Sequence, residues 1–339
     1  MTQTQQSKAG QTAQSVPGGE ADKPADIPKR GWLQIAKRGW AEAKADQVPL
    51  LAAGVAFYAF LALFPALVAL VLIYGLVADP AQIASQVGQL TEALPEDARS
   101  LITNQLTMVS SGQSRAGLGA VIAIALALWS ASGGVSNLMT AISTAYDEDE
   151  KRSFVKKRGL ALLLTAGAII FMIVMLGLVA VFPALLDRID SGLVRFLLQA
   201  ARWLVIAAVV SVALAVLYRV APDRDAPKMR WVSAGAAVAT VLWLIASIGF
   251  SIFASFGTYA KTYGPVAGIV VTLFWLWITS YAVLLGAEIN AEAEQQTVRD
   301  TTKGEDAPIG HRGAVKADSL PTEDGAADPK AERQQDKRT

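Results

Sequence analysis

The sequence predicts an all-α fold, a polytopic membrane helical bundle of about six transmembrane helices with an amphipathic helical pair in the first extracytoplasmic loop. Of the 339 residues, 53% are hydrophobic and only 17% are charged, which is too apolar for an ordinary soluble domain. The apolar residues lie in uncharged blocks long enough to cross a bilayer. Lys and Arg residues are concentrated in alternate connections between these blocks.

The six apolar blocks are each predicted to form one membrane-spanning helix. A helix of about 20 residues at about 1.5 Å rise per residue matches a hydrocarbon core of about 30 Å. The predicted spans, together forming a membrane domain over residues 29–296, are 50–78, 117–140, 160–186, 203–218, 232–256 and 265–287.

The connections between the spans predict the orientation. Fourteen Lys and Arg residues lie in residues 29–49 and in the connections 147–159 and 219–230, against six in the other three connections. Positive residues concentrate on the cytoplasmic side of inner-membrane proteins. We therefore expect a bacterial inner-membrane protein with both termini in the cytoplasm.

Two segments outside the spans also have helical patterns. Residues 31–46 place two Trp residues, Ile35 and two Ala residues on one face, which predicts a short helix lying in the headgroup layer. The long connection 79–116 contains two amphipathic stretches separated by Pro95, which predicts two helices joined at the proline.

The two ends of the chain differ in composition from the spans. Residues 1–28 and 297–339 are rich in polar residues, Gly and Pro and contain few bulky apolar groups. Such segments bury too little surface to offset the entropy of ordering them, so we expect two disordered cytoplasmic tails. The first 30 residues lack the apolar core of a cleavable signal peptide, so span one is expected to act as the insertion signal.

Small polar residues in two spans are the first candidates for a functional site. They recur every four residues, which places each set on one helix face. Two interpretations remain open: hydroxyls that allow close helix packing, or the lining of a wetted path. The candidate lining residues are Ser132, Ser136, Asn137 and Thr140 in span two and Ser247, Ser251 and Ser255 in span five.

Glu288 is the ionisable residue nearest to membrane depth, since the predicted spans themselves contain no charge. It lies 23 residues beyond Pro265, or roughly 35 Å along a straight helix. It is therefore expected at the cytoplasmic interface. Either it belongs to a solvated helix end, or its carboxylate faces the inner mouth of a cavity and serves function.

Four residues that disturb helices are candidate hinges. Pro65 removes a helix hydrogen bond within span one, Gly133 and Gly134 loosen span two, and Gly264 opens span six. A kink beside small polar faces suits a conformational cycle, although rigid bundles contain kinks too.

Several stretches resemble the YihY/BrkB family of bacterial inner-membrane proteins, historically named ribonuclease BN. The resemblance covers roughly residues 30–295 and implies a six-helix inner-membrane protein. It implies little biochemistry, because family members are discussed both as transporters and in connection with envelope integrity. The stretches are Ala56-Phe57-Tyr58 through Phe64-Pro65, Trp129 through Gly134, Ala145-Tyr146 to Glu150 and Arg152, Tyr259 with Lys261 through Gly264, and Leu285 through Glu292.

The residues and the resemblance together favour a transporter or a translocase of lipid or another amphipathic small molecule, acting in contact with the lipid bilayer. The alternative is a membrane scaffold or envelope-integrity factor. An enzyme is not expected, and neither are cofactors, bound metal or nucleic acid. Metal-dependent RNA cleavage needs clustered His, Asp or Glu ligands, but the single histidine is His311 in a predicted tail, and the acidic run 147–150 lies beside five cations.

Overall fold

The computed structural model describes residues 14–77, 116–182, 191–255 and 265–319, together with Leu186. Within these residues the chain is helical apart from its connections and one isolated β-bridge between Pro227 and Thr302. The helices are α1 (Lys29–Ala45), α2 (Val48–Val77), α3 (Ala116–Ala145), α4 (Phe154–Leu176), α5 (Gly192–Val220), α6 (Met229–Ser255), α7 (Pro265–Gln295) and α8 (Val315–Asp318). A 3₁₀ turn at Pro24–Asp26 precedes α1, and a π-helical segment at Gly177–Val181 follows α4.

The six predicted spans correspond to α2 through α7, and the all-α polytopic class is confirmed. Each of these helices is long and apolar enough to cross a membrane. Several are longer than predicted, because the sequence boundaries stopped at charges that the helices include. The predicted span 203–218 is part of α5, which begins at Gly192, and α4 begins at Phe154 instead of residue 160.

The spans pack in the spatial order α4, α3, α2, α7, α6, α5, and the two outer helices of this row also contact each other. The helix α7 is the hub, because it also contacts α1, α3 and α8. Many large apolar side chains on α4, α5 and α6 point away from the protein. Such a surface suits lipid chains better than water.

The contact between α6 and α7 depends on two glycines. A Cβ atom on Gly235 would overlap the carbonyl oxygen of Gly286, and a Cβ atom on Gly286 would lie 2.6 Å from the Tyr218 hydroxyl. The backbones can approach this closely only because both residues lack a side chain. Tyr218 then donates a 2.6 Å hydrogen bond to the carbonyl of Val283, which ties α5 to the same place.

Both terminal segments are packed against the bundle where they are described, contrary to the expectation of disordered tails. Val16, Ala21 and Ile27 are buried before α1, and residues 297–302 are largely buried after α7. The two segments bond each other, since the Val298 amide donates to the carbonyl of Gly19 at 2.8 Å. Polar composition predicted disorder because it does not account for hydrogen bonds and ion pairs, which stabilise these segments more than apolar burial does.

We name this end of the molecule the polar cap, consisting of residues 14–46, 146–152, 221–230 and 288–319. The helix α1 belongs to it: Ile35 and Ala43 are buried, and α1 packs against α7. One face of the predicted headgroup-layer helix is therefore covered by protein, while Leu33 and Trp40 on its other side stay exposed. The predicted helical pair at 79–116 lies outside the described residues, apart from the first residue of α3.

The candidate hinges lie within unbroken helices where they are described. The helix α2 continues through Pro65, and α3 continues through Gly133 and Gly134. A Cβ atom on Gly134 would come within 3.1 Å of the Tyr58 carbonyl oxygen of α2, so this glycine allows close packing of the two helices. Gly264 lies outside the described residues, and a hinge role for all four residues stays a prediction.

We expect Gly235→Ala and Gly286→Ala each to destabilise the protein, because the added methyl group must push α6 and α7 apart. Overpacking of this kind costs about 1–3 kcal/mol. The measurement is the thermal unfolding midpoint of purified protein in detergent. Gly249→Ala is the matched control, since a Cβ atom there meets nothing within 4 Å. Equal midpoints for all three variants would contradict the close contact.

Candidate functional site

The predicted polar row of α3 is satisfied mainly by its own helix. Ser132 is buried and donates to the carbonyl of Trp129 at 2.7 Å, and Asn137 donates to the carbonyl of Gly133 at 2.9 Å. Thr140 donates to the carbonyl of Ser136 at 3.1 Å. These bonds agree with the packing interpretation. They do not remove the polar surface, because Ser136 and Asn137 stay partly exposed and Thr140 is exposed.

Two cations from α4 extend this row. The Lys157 ammonium group donates to the Thr140 hydroxyl at 2.9 Å. The Arg158 guanidinium group donates to the carbonyl oxygen of Trp129 and lies over the Trp129 ring, 4.3 Å from its centre. We name the surface formed by Trp129, Ser136, Asn137, Thr140, Lys157 and Arg158 the α3–α4 groove.

The two neighbouring cations point in opposite directions along α3. Thr140 and Trp129 are eleven residues apart on α3, a separation of about 16 Å along the helix. Lys157 reaches the residue nearer the polar cap, as a snorkelling cation does. Arg158 reaches Trp129, which lies farther from the polar cap. Its charge therefore lies deeper in the bundle than its backbone does.

Sequence reasoning did not identify Arg158 as a site residue. The expectation that the spans contain no charge followed from placing the start of span three at residue 160, whereas α4 begins at Phe154. The contact with Trp129 joins residues 29 apart, a pairing that no local pattern indicates. The sequence did contain one indication of this site, because Arg158 lies only two residues before the predicted start of span three.

The polar row of α6 stands apart from the groove. Ser247 is partly exposed and Ser251 is exposed, while the side chain of Ser255 lies outside the described residues. Because α6 packs mainly on α7 whereas α3 packs mainly on α2, the two rows lie on different helix pairs. A path lined by both rows stays a prediction.

Glu288 is buried in the polar cap, which corrects the interpretation of a solvated helix end. Its side chain is only 1% exposed, and neither carboxylate oxygen has a hydrogen-bond partner among the described residues. The charged groups around it are Lys316, Glu292, Glu42 and Asp147. The reason for its burial is that the C-terminal segment folds back over the end of α7, which the sequence pattern did not show.

Glu292 is the centre of the ion pairs in the cap. One carboxylate oxygen accepts from Arg38 Nε of α1 at 2.6 Å, and the other accepts from Lys316 Nζ of α8 at 2.7 Å. Lys316 also pairs with Asp147 at 3.0 Å. Burial alone would lower the pKa of Lys316, but Glu292, Asp147 and Glu42 together raise it well above its ordinary value.

A second buried pair holds the connection between α5 and α6. The Arg224 guanidinium group donates to both carboxylate oxygens of Glu294, at 2.9 and 2.7 Å, and lies over the ring of Tyr146. Bidentate geometry of this type is the strongest arrangement of a guanidinium and a carboxylate. The cap therefore joins α1, α3, α7, α8 and this connection through charged groups.

The acidic run 147–150 is held in the cap by ion pairs and hydrogen bonds. Asp147 is buried against Lys316, and the Glu148 carboxylate accepts the Val315 amide at 2.7 Å. Glu150 pairs with Arg152 at 2.7 Å and with Lys157 at 3.3 Å. Within the described residues, no group of three or more His, Cys, Asp and Glu side chains is arranged to hold a metal ion.

The sequence profile of a family described as "Virulence factor BrkB" matches residues 40–310. The ribonuclease-like protein YfkH of Bacillus subtilis is 33% identical over 246 residues, which cover 70% of this chain and 87% of YfkH. A UPF0761 membrane protein of Tolumonas auensis is 38% identical over 91 residues, and one of Idiomarina loihiensis is 29% identical over 110 residues. These two matches span 29% and 37% of the relatives' lengths. No solved structure matches the chain.

We expect Lys316→Met to destabilise the polar cap by about 3–5 kcal/mol, because it removes the cation that pairs with buried Asp147 and one of the two cations that pair with buried Glu292. The measurements are the thermal unfolding midpoint and the protease sensitivity of residues 297–319. Lys303→Met is the control, since Lys303 is exposed and its side chain is replaced in the same way. A Lys316→Met protein as stable as the control would contradict the role of the ion pairs.

The ionisation of Asp300 determines how the C-terminal segment is expected to respond to acid. Burial would raise its pKa, but hydrogen bonds from the Ala307 amide and from Thr302 lower it below the ordinary value of 3.8. A lowered folded-state pKa contributes stability that is present above the ordinary pKa and lost as pH falls through the folded value. Protection of residues 300–312 should therefore be constant from pH 8 to about 5.

The test is hydrogen–deuterium exchange of residues 300–312, corrected for the intrinsic pH dependence of exchange. Asp300→Asn should lose protection already at pH 7, because the amide cannot supply the two acceptor oxygens. Wild-type exchange in the variant at pH 7 would show that Asp300 does not hold this segment.

Proposed function

The chain belongs to the BrkB family of integral membrane proteins, and we propose that it moves a lipid or another amphipathic molecule in the bacterial inner membrane. The observation that carries the proposal is the α3–α4 groove. It combines partly exposed hydroxyl and amide groups with two cations, inside a bundle whose outer surface is apolar. A molecule with a polar head and an apolar chain suits both parts of such a surface.

The proposed orientation places the polar cap in the cytoplasm. Support comes from the excess of Lys and Arg in the connections on the cap side. Both described terminal segments belong to the cap, so the two ends of the chain are proposed to be cytoplasmic. The groove then opens toward the cytoplasmic leaflet at Lys157 and extends toward the middle of the membrane at Trp129.

The proposal contains no catalytic step. The name of YfkH refers to a ribonuclease, but the described residues of this chain offer no cluster of metal ligands for phosphodiester cleavage. Three cations of the cap, Arg38, Arg224 and Lys316, are buried in pairs with carboxylates and are therefore not available to RNA phosphates.

A membrane scaffold is the second candidate function, and the polar cap favours it. The cap gives the cytoplasmic end a fixed shape, because both terminal segments are bound to α7. A protein that only anchors partners needs such a surface and does not need the groove. The two functions therefore predict opposite effects of changes in the groove.

The transport proposal is tested by lipid movement between the leaflets of proteoliposomes, followed with headgroup-labelled lipids and a membrane-impermeant quencher. Ser136→Leu and Thr140→Leu, singly and combined, should reduce the rate at least about tenfold, because a polar head passing these positions loses its partners. Thr272→Leu is the matched control. Thr272 donates to the carbonyl four residues earlier on α7 at 2.7 Å, as Thr140 does on α3.

Lipid movement that the groove variants lose and the control retains would support transport. Wild-type rates in a folded Ser136→Leu/Thr140→Leu protein would contradict a path along the groove. Absence of movement with every lipid, from protein with a normal unfolding midpoint, would favour the scaffold.

A further inference from the structure

We propose that the α3–α4 groove binds the phosphate-bearing headgroup of an anionic membrane lipid, with Arg158 as the main ligand. The inference rests on the proposed function in that it names the headgroup of the transported molecule. It is tested by binding and not by movement, so the two proposals can fail separately.

The first argument is the unfilled hydrogen-bonding capacity of Arg158. A guanidinium group has five N–H donors, and Arg158 uses Nη2 to donate to the carbonyl of Trp129. Its Nε atom is buried without a hydrogen-bond partner, and Arg158 forms no ion pair with the part of the chain that the structure describes. The buried arginines of the cap differ, because Arg38 and Arg224 both bond carboxylates.

The second argument is the depth of the charge. A cation inside a membrane span is costly and is normally paired or directed toward the interface. Lys157 follows this rule, whereas the Arg158 side chain is directed toward Trp129, about 16 Å beyond Thr140 along α3. A carbonyl dipole and an aromatic face compensate the charge only in part. An anionic group at this position would compensate the rest.

The contribution of Lys157 is smaller, because a carboxylate already faces it. Burial would raise the pKa of Glu150, but Arg152 and Lys157 lower it below its ordinary value, so this carboxylate is charged at neutral pH. Lys157 is therefore largely neutralised by Glu150 at 3.3 Å. It can still donate to a ligand from the cap side of the groove, but Arg158 carries the excess positive charge.

The third argument is the apolar rim, which distinguishes a lipid from a free anion. Phe154 and Val155 lie one turn before Arg158 on the same face of α4 and are 73% and 77% exposed. Trp129, whose ring the guanidinium group covers on one side, is 48% exposed. A ligand whose phosphate contacts Arg158 would thus lie beside exposed apolar side chains, which suit a lipid and not a free anion. Planar guanidinium donors also match phosphate oxygens well.

The experiment measures lipid retention by the full-length protein in detergent, using native mass spectrometry after titration with phosphatidylglycerol. Diacylglycerol with the same chains is the probe without a phosphate, and inorganic phosphate is the probe without chains. The wild type should retain phosphatidylglycerol and not diacylglycerol. Inorganic phosphate at millimolar concentration should not displace the lipid.

Three variants distinguish a specific contact of the guanidinium group from a general effect of positive charge. Arg158→Gln should weaken phosphatidylglycerol retention at least about tenfold, which corresponds to the loss of one charge-assisted hydrogen bond. Arg158→Lys should be intermediate, because it keeps the charge but not the planar fork. Lys156→Gln should bind as the wild type does, since Lys156 is exposed and its replacement removes one positive charge two residues from Arg158.

Equal retention by Arg158→Gln and the wild type would overturn the proposal, and so would an equal loss in Lys156→Gln. Displacement of the lipid by inorganic phosphate would overturn the assignment to a lipid headgroup. Selective retention that depends on Arg158, in protein that shows no lipid movement, would support the headgroup site while contradicting transport. Lipid movement that Arg158→Gln leaves unchanged would contradict the headgroup site alone.

Discussion

The carboxylate of Glu292 is the interaction on which the rest of the polar cap depends. It is buried near the end of the longest span and is held between Arg38 of α1 and Lys316 of α8. A buried charge that loses one partner is strongly destabilising. The N-terminal helix, the hub helix α7 and the C-terminal segment therefore require each other, and the same pairs explain why polar terminal segments are ordered without a large apolar core.

The α3–α4 groove also holds a partly buried cation, but its charge is compensated in a different way. In the cap, each buried cation faces a carboxylate, so the charges are balanced within the chain. In the groove, Arg158 faces a carbonyl oxygen and a Trp ring, neither of which carries a formal charge. The cap is thus built as a closed structural unit, whereas the groove leaves donors available to a ligand.

Sequence reasoning succeeded where the signal is local and failed where the partners are distant. Hydropathy and the alternation of cations predicted six spans because both are properties of neighbouring residues. The Arg38–Glu292 pair joins positions 254 apart, and polar composition alone suggested disorder for the segment that brings in Lys316. The polar row of α3 was found by its spacing. The bond of Thr140 to its own helix agrees with the packing interpretation of that row, and the wetted path stays a prediction.

The geometry of α3 links the groove to the cap. Thr140 lies in the groove, and Asp147 pairs with Lys316 just beyond the end of the same helix, in a left-handed backbone conformation with φ of 57°. Aspartate adopts that conformation more readily than most other residues with a side chain, and here its carboxylate also pairs with Lys316. A movement of α3 that displaced Asp147 from Lys316 would weaken this pair, so the position of α3 is coupled to the cap. Glu288 lies beside the same pair, on the hub helix α7 that contacts both α2 and α3.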